Sequence, residues 1–294
     1  MKATEMTITI GKNTNSPIQV NRLGYGTMRL PGEMVWGEPK NRFEALEILR
    51  ATATNGINFL DTADFYGDDI TNHLIQEALY PYHDDLLICT KVGAGRTPDK
   101  GWKTFDTPEQ LRTSIERNLK TLKIEQLKLV HFRVMPNSET PFKESLQTLF
   151  DLQKEGKILH IGLSNVSPEE LEIGLSMGPI ASVENAFGYG QRTSFSFHGQ
   201  ENRGLQEVMP LCIANEIVMI PFWSLQNSLP KNDDKIAVIA KKYGASSAQI
   251  NIAWLLHLNE LILPIPGTSQ LKHFEENIRA RDIKLTEEDM AFLG

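Results

Sequence analysis

Ile158-Leu159-His160-Ile161-Gly162-Leu163-Ser164 runs through Asn165-Val166 into Ser167-Pro168-Glu169-Glu170. The first seven residues are rich in aliphatic side chains, as a buried strand requires. Ser167 offers a hydroxyl cap, Pro168 a preset first helical position and Glu169 a carboxylate for the first turn, so a helix is predicted over Pro168–Met177. A strand running straight into a helix is the unit of a parallel sheet covered by helices.

The same unit recurs along the chain. Strands are predicted at Arg22–Gly26, Ile57–Asp61, Leu86–Lys91, Leu127–His131, Ile158–Ser164, Ala181–Asn185, Ile217–Phe222 and Leu261–Ile265, which makes eight. Helical spacing marks Arg42–Asn55, Thr71–Leu79, Pro108–Leu122, Phe142–Glu155, Pro168–Met177, Leu205–Asn215, Lys231–Tyr243, Ala248–His257 and Leu271–Arg279. Thr107-Pro108-Glu109-Gln110 repeats the capping grammar of Ser167. Eight units favour closure into a (β/α)8 TIM barrel of one domain over residues 1–294. An open doubly wound sheet would usually carry G-x-G-x-x-G after its first strand. Gly24-Tyr25-Gly26 lacks the third glycine, and Gly93-Ala94-Gly95 leads into Arg96-Thr97-Pro98 rather than a helix. Ahead of the first barrel strand, Met6–Ile10 and Ile18–Val20 flank a turn-rich stretch and read as a β-hairpin capping the bottom of the barrel. The long connections Gly93–Asp106, Phe187–Asn202 and Trp223–Leu229 all follow strands, which assigns them to the face where barrel active sites are built.

Composition narrows the function classes. The chain is 40% hydrophobic and 23% charged, which suits a folded core. A net charge of −7 provides no basic field for nucleic acid. Cys89 and Cys212 are the two cysteines and form no C-x-x-C, so neither a disulfide framework nor a metal site is expected. No stretch has the length of a signal peptide or a membrane span, and the reading is a cytoplasmic protein, a monomer or weak homo-oligomer acting on a small molecule.

Polar residues gather at strand ends. Asp61 ends the second predicted strand, Tyr66 lies on the following loop, Lys91 ends the third strand and His131 the fourth. Singly, each has an ordinary role: a cap, a turn residue, a solvated charge, a satisfied interior histidine. Together, neighbouring barrel strands bring them to one patch of rim. Reducing a carbonyl needs a proton donor, and Tyr66 is the candidate acid. A Lys91 ammonium held by Asp61 is expected to lower the phenol's pKa, and His131 to donate to the carbonyl oxygen.

Over nearly its whole length the chain resembles an aldo-keto reductase. Asn55–Gly67 is similar to the family's stretch around its catalytic Asp and Tyr, Thr90-Lys91 to its lysine strand, and Leu129-Val130-His131-Phe132 to its histidine strand. Gly162-Leu163-Ser164-Asn165 resembles the segment that binds the nicotinamide carboxamide, and Pro264–Ser269 with Glu276-Asn277 the part that holds the adenosine phosphate and adenine. The resemblance implies NADPH as cofactor, with NADH less favoured, and contacts from Gly26, Thr27, Met28, Asp61, Ser164, Asn165, Glu184, Phe222, Ser224, Leu225, Gly267, Thr268, Ser269, His273, Glu276 and Asn277. Asn21–Met28, Thr62–Gly67 and Phe132–Met135 look most like bacterial pyridoxal reductase-like members, which makes pyridoxal the sharpest substrate expectation. Trp102, Phe187 and Trp223 are placed to stack on its ring.

Four positions depart from the pattern. Glu184 stands where relatives commonly have glutamine, Phe222 where tyrosine often stacks on the nicotinamide, and Gly267 and His273 where many relatives place Lys and Arg against the 2′-phosphate. Two other functions remain in view: a cofactor-binding regulatory relative with little turnover, and a Schiff-base aldolase using Lys91.

Overall fold

A computed structural model of the chain describes residues 6–197, 200–225 and 234–294. The chain opens with an antiparallel hairpin, β1 (Thr7–Ile10) and β2 (Ile18–Asn21), followed by β3 (Tyr25–Gly26), α1 (Arg42–Thr54), β4 (Phe59–Asp61) and α2 (Ile70–Leu79). Then come β5 (Leu87–Arg96), β6 (Trp102–Phe105), α3 (Pro108–Leu122), β7 (Leu127–Arg133), α4 (Phe142–Lys154), β8 (Ile158–Ser164), α5 (Pro168–Met177) and β9 (Ser182–Glu184). The remainder is β10 (Phe195–Phe197), β11 (Gln200–Asn202), α6 (Leu205–Ala214), β12 (Val218–Met219), α7 (Asp234–Tyr243), α8 (Ser247–Leu258), α9 (Leu271–Arg279) and α10 (Glu287–Leu293).

Parallel pairing follows the order β3-β4-β5-β7-β8-β9-β12. The segment after α8 closes the ring. Met219 N–H donates to Leu261 O at 2.8 Å, Leu263 N–H to Met219 O at 2.9 Å, and Gly24 N–H to Pro264 O at 2.9 Å. The predicted eighth strand thus pairs with the seventh and the first, and the fold is the TIM-type barrel expected. Among the described residues, no helix is long and apolar enough to cross a membrane.

Strand alternation sorts the side chains into two layers. Inside the barrel, Phe59, Leu87, Cys89, Leu129, Ala181, Val218, Ile220, Leu263 and Ile265 pack with Ile8, Ile10 and Val20 of the hairpin, which therefore plugs the bottom. His160 adds a polar tie there, its Nε2 2.8 Å from Ser16 O. Outward-facing Leu60, Ile88, Val130, Ile161 and Val183 pack against the helices. Both predicted caps form full capping boxes, Thr107 with Gln110 and Ser167 with Glu170.

The connections differ from expectation. Gly93–Asp106 is not an open loop: β5 continues to Arg96 and folds back on β6 with Gly93 opposite Phe105 and Arg96 opposite Trp102, because an alternating Trp-Lys-Thr-Phe run supplies a partner strand. Within Phe187–Asn202, β10 and β11 form another hairpin; residues 198–199 of that loop lie outside the described residues, as do 226–229 of the loop predicted at Trp223–Leu229 and 231–233 of the helix predicted from Lys231.

Candidate active site

The inward row of each strand becomes polar as it reaches the C-terminal rim: Phe59 gives way to Asp61, Leu87 and Cys89 to Lys91, and Leu129 to His131 and Arg133. Register then sets their neighbours. Asp61 lies opposite Cys89, Lys91 opposite His131, and Arg133, Ser164 and Glu184 form one row across β7, β8 and β9. Gly162 lets His131 reach across β8, since a Cβ there would run into the imidazole and into Ser182 Oγ.

Lys91 Nζ donates to Asp61 Oδ1 at 2.5 Å and Oδ2 at 2.6 Å, and to Thr62 O at 3.3 Å. It also lies 3.4 Å from Glu184 Oε1 and 5.0 Å from the centroid of the Tyr66 ring. Asp61, Lys91, Tyr66 and Glu184 are all buried. Burial works against the Lys91 ammonium, but Asp61 and Glu184 outweigh it and hold its pKa well above the usual lysine value. The two carboxylates compete for this one cation and titrate as a unit: burial and Glu184 raise Asp61, while Lys91, His131 and Arg133 hold Glu184 down against burial.

Two expectations change. Lys91 does pull the Tyr66 pKa down, yet burial, aided by Asp61 and Glu184, moves it upward overall, so at rest the phenol keeps its proton. The second concerns His131, expected to donate to a carbonyl. It is fully buried, with Nε2 2.8 Å from Ser182 Oγ and Nδ1 3.1 Å from Cys89 Sγ and 3.0 Å from Glu184 Oε2. Burial lowers its pKa, so it is a neutral ring whose two nitrogens are already engaged inside the wall. Asp61, Cys89 and His131 bring three ligand-type atoms within 4.8 Å of one another. Lys91 holds both oxygens of Asp61, however, and burial raises the Cys89 thiol, so the cluster is an ion-pair site.

Ala63, Phe65, Ala94 and Met135 pack around Tyr66, with Met28, Val35 and Trp102 against them. Phe65 meets Tyr66 edge-on at 5.3 Å and Trp102 at 5.7 Å. The Arg96 guanidinium stacks on Trp102 at 4.2 Å and donates to Met34 O at 2.8 Å and Lys100 O at 2.7 Å. This stacked, forked contact fastens the β5–β6 hairpin to the loop before α1. Of the aromatics expected to stack on a substrate, Trp102 lies in this wall. Phe187 does not: it is buried against Trp254 of α8, ring centroids 5.8 Å apart. Trp223 is half-buried, with φ 59°, on the segment that follows β12.

The residues implied in cofactor binding fall into two groups. Near the rim, Thr27 Oγ1 donates to Asp61 O at 2.8 Å, Ser164 is buried, and the Arg133 guanidinium lies 5.0 Å over the Phe222 ring and 3.5 Å from Ser164 Oγ. Glu184 Oε2 lies 3.0 Å from His131 Nδ1 and accepts no hydrogen bond from any described residue. Asn165 has both of its amide N–H donors engaged by the protein. Its Nδ2 donates to Val134 O at 3.0 Å and Glu201 O at 3.1 Å, and its Oδ1 accepts from Arg203 N–H at 2.8 Å. It thus braces the loops from a left-handed turn with φ 62°. Ser224 is buried, its carbonyl accepting from Asn251, and Leu225 packs against the core.

Further along, Gly267 lies against Gly26, where a Cβ would strike the Gly26 carbonyl, and Tyr25 Oη donates to Thr268 O at 2.6 Å. Ser269 and His273 are exposed, Glu276 is half-buried with its carboxylate 4.0 Å from Lys272 Nζ, and Asn277 is buried. The first N–H of α9, on Leu271, donates at 3.0 Å to the Glu44 carboxylate of α1. The signals missed in the sequence are contacts between distant segments: Cys89 and Ser182 on His131, Arg133 over Phe222, and Glu44 on α9.

A family model described as the aldo/keto reductase family matches residues 22–293. The pyridoxine 4-dehydrogenase of Escherichia coli (strain K12) is 37% identical over 280 residues, which cover 93% of this chain and 94% of that protein. The crystal structure of a thermostable aldo-keto reductase with the inhibitor epalrestat superposes with a TM-score of 0.81 at 27% identity, covering 98% of both chains. An aldo/keto reductase from Klebsiella pneumoniae, solved with NADP and acetate, has the same fold at a TM-score of 0.76 and 22% identity, over 98% of this chain and 94% of that one.

Proposed function

Because the chain belongs to the aldo/keto reductase family of oxidoreductases, we propose that it reduces a small aldehyde with NADPH, that Tyr66 is the proton donor, and that pyridoxal, reduced to pyridoxine, is its substrate. The observation that carries this reading is the Asp61–Lys91 pair lying against the buried Tyr66 ring. NADPH, when bound, supplies the hydride to the carbonyl carbon. The chain's own part is the proton. A buried phenol holds its proton until negative charge grows on the carbonyl oxygen and donates it there; the Lys91 ammonium then stabilises the phenolate left behind, and Asp61 keeps that ammonium charged.

Support for the cofactor comes from residues that fit it. Glu184 Oε2 is buried 3.0 Å from His131 Nδ1, accepts no hydrogen bond from any described residue, lies beside Ser164 in register, and suits the N–H of a carboxamide. Phe222 provides a ring face, and the start of α9 with Thr268 and Ser269 provides amides and hydroxyls for the phosphate end. NADP in the Klebsiella pneumoniae structure and the activity in the name of the Escherichia coli relative point the same way. The wall of Met28, Phe65, Trp102 and Met135 suits a small planar aldehyde.

Loss of NADPH absorbance on adding pyridoxal, measured beside a panel of other aldehydes, is the test. We expect turnover with pyridoxal. NADPH binding with no turnover on any carbonyl would instead support a regulatory role, and borohydride trapping of substrate on Lys91 would support Schiff-base chemistry.

A further inference from the structure

We propose that Asn72 and Asn118, which lie outside the barrel, are positioning residues for the Asp61–Lys91 pair; the proposal rests on the reading of that pair as the partner of a proton-donating Tyr66. Consecutive strand residues face opposite sides, so with Lys91 pointing into the barrel, Thr90 points out into the helix layer. Thr62, the first residue beyond β4, reaches the same layer. Both are fully buried, as are Asn72 on α2 and Asn118 on α3.

These four side chains form one chain of hydrogen bonds. Thr62 Oγ1 donates to Asn72 Oδ1 at 3.1 Å, Asn72 Nδ2 donates to Asn118 Oδ1 at 3.0 Å, and Thr90 Oγ1 donates to that same oxygen at 2.7 Å. Asn72 Nδ2 also reaches Thr121 Oγ1 at 3.1 Å, and Asn118 Nδ2 anchors the chain to Ser114 O at 2.9 Å. Asn118 Oδ1 thus receives two donors, the number its lone pairs accommodate. Through one intervening asparagine, the residue after Asp61 and the residue before Lys91 are tied to a single oxygen.

The tie matters because β4 is short and ends at Asp61. Beyond it, Thr62 N–H still donates to Cys89 O, and the register of β4 with β5 ends at the Asp61–Cys89 pair among the described residues, ahead of the loop that carries Tyr66. Lysine is a long, flexible side chain. Its contacts of 2.5 and 2.6 Å to Asp61 persist only if both backbones stay in register. A displacement of about 1 Å in such a site can cost on the order of a hundredfold in rate, so a partial loosening is enough to be measured.

Thr90→Val tests this, since it removes the hydroxyl and keeps the branched shape, whereas truncating Asn118 endangers the fold. We expect kcat to fall about tenfold with KM and the NADPH Kd within about twofold of wild type, and Thr90→Ser, which restores the donor while losing a methyl group, to recover the rate. A double cycle with Thr62→Val should be non-additive, because both hydroxyls act through one network. A Thr90→Val enzyme within about twofold of wild-type kcat, or Ser and Val variants slowed equally, would overturn the proposal. A second measurement does not depend on turnover: in protein carrying isotope-labelled lysine, the buried Lys91 ammonium should give a slowly exchanging signal that broadens in Thr90→Val and returns in Thr90→Ser. An unchanged signal in both variants counts against the tie even if wild-type protein reduces no carbonyl, a result that would separately defeat the reading of the site as a reductase.

Discussion

The rim around Lys91 and the strip from Gly267 to Asn277 are the two ends of the proposed cofactor path, and they are built in opposite ways. At the rim, Asp61, Lys91, Tyr66, His131 and Glu184 are buried, and nearly every polar atom has a partner within the protein. Along the strip, Ser269, Lys272 and His273 face solvent, and the first N–H of α9 donates to Glu44. The rim must hold charges in a dry, fixed geometry before the reaction starts, because its effect depends on not having to reorganise. The strip needs only to bind, and binding can recruit exposed side chains when the ligand arrives.

This contrast breaks most sharply at Tyr66. Replacing it with phenylalanine removes the proton donor and leaves the ring in its wall of Phe65 and Met135. We expect kcat to fall by about a hundred- to ten-thousandfold while the NADPH Kd, followed by fluorescence titration, stays nearly unchanged. A variant with wild-type turnover would move the donor elsewhere, and one that loses cofactor affinity would show that the two ends are not separable.

The next effect is on stability and comes from the burial the rim requires. Asp64, two residues before Tyr66, is buried; Ser114 Oγ donates to its Oδ2, and its Oδ1 has no partner among the described residues. Burial raises its pKa to about 7, against the opposing pull of Ser114 and Arg117, with Asp69 adding to the rise. A carboxyl whose folded value exceeds its unfolded value of about 3.9 stabilises fully below that unfolded value and loses its contribution as pH rises through the folded one. Wild type should therefore lose stability between about pH 4 and pH 7 from this residue, and Asp64→Asn should not. By thermal melts, the variant should gain on wild type by on the order of 2 kcal/mol between about pH 5 and pH 8. A difference that stays flat with pH would mean that Asp64 is already ionised in the folded protein. The strip, with its solvated groups, has no comparable buried carboxyl among the described residues.

How much could be read in the sequence follows the same division. The placement of Asp61, Lys91 and His131 at the rim was legible because inward alternation and strand ends are local patterns, and the caps at Ser167 and Thr107 because a cap needs only the residues beside it. What lay hidden depends on registers between distant strands. Glu184 reaches His131 only because β9 pairs with β8 so that Ser164 faces Glu184, and Phe187 turns from the rim to Trp254 for reasons that lie in α8. Asn165 reads as an amide ligand, yet its three hydrogen bonds belong to loops at 134 and at 201–203. Thr286-Glu287-Glu288-Asp289 carries a local cap signature, and the helix it starts, α10, could have been found from sequence.

The smallest expected effect sharpens the comparison from the strip. His273 is exposed on the first turn of α9, with Lys272 beside it, while Glu44 adds negative charge at the helix N-terminus. A 2′-phosphate arriving there meets attraction from the helix amides and repulsion from that carboxylate. His273→Arg supplies a permanent cation with a forked set of donors, so it should tighten NADPH by roughly three- to tenfold and change NADH by less than about twofold. Because the site is exposed, raising the salt concentration should erode the gain, and kcat should not move, since nothing at the rim is touched. Equal tightening of both cofactors would place His273 away from the phosphate that distinguishes them. A change in kcat would mean that the strip reaches into the chemistry, and the division between a preorganised end and a merely binding end would fail.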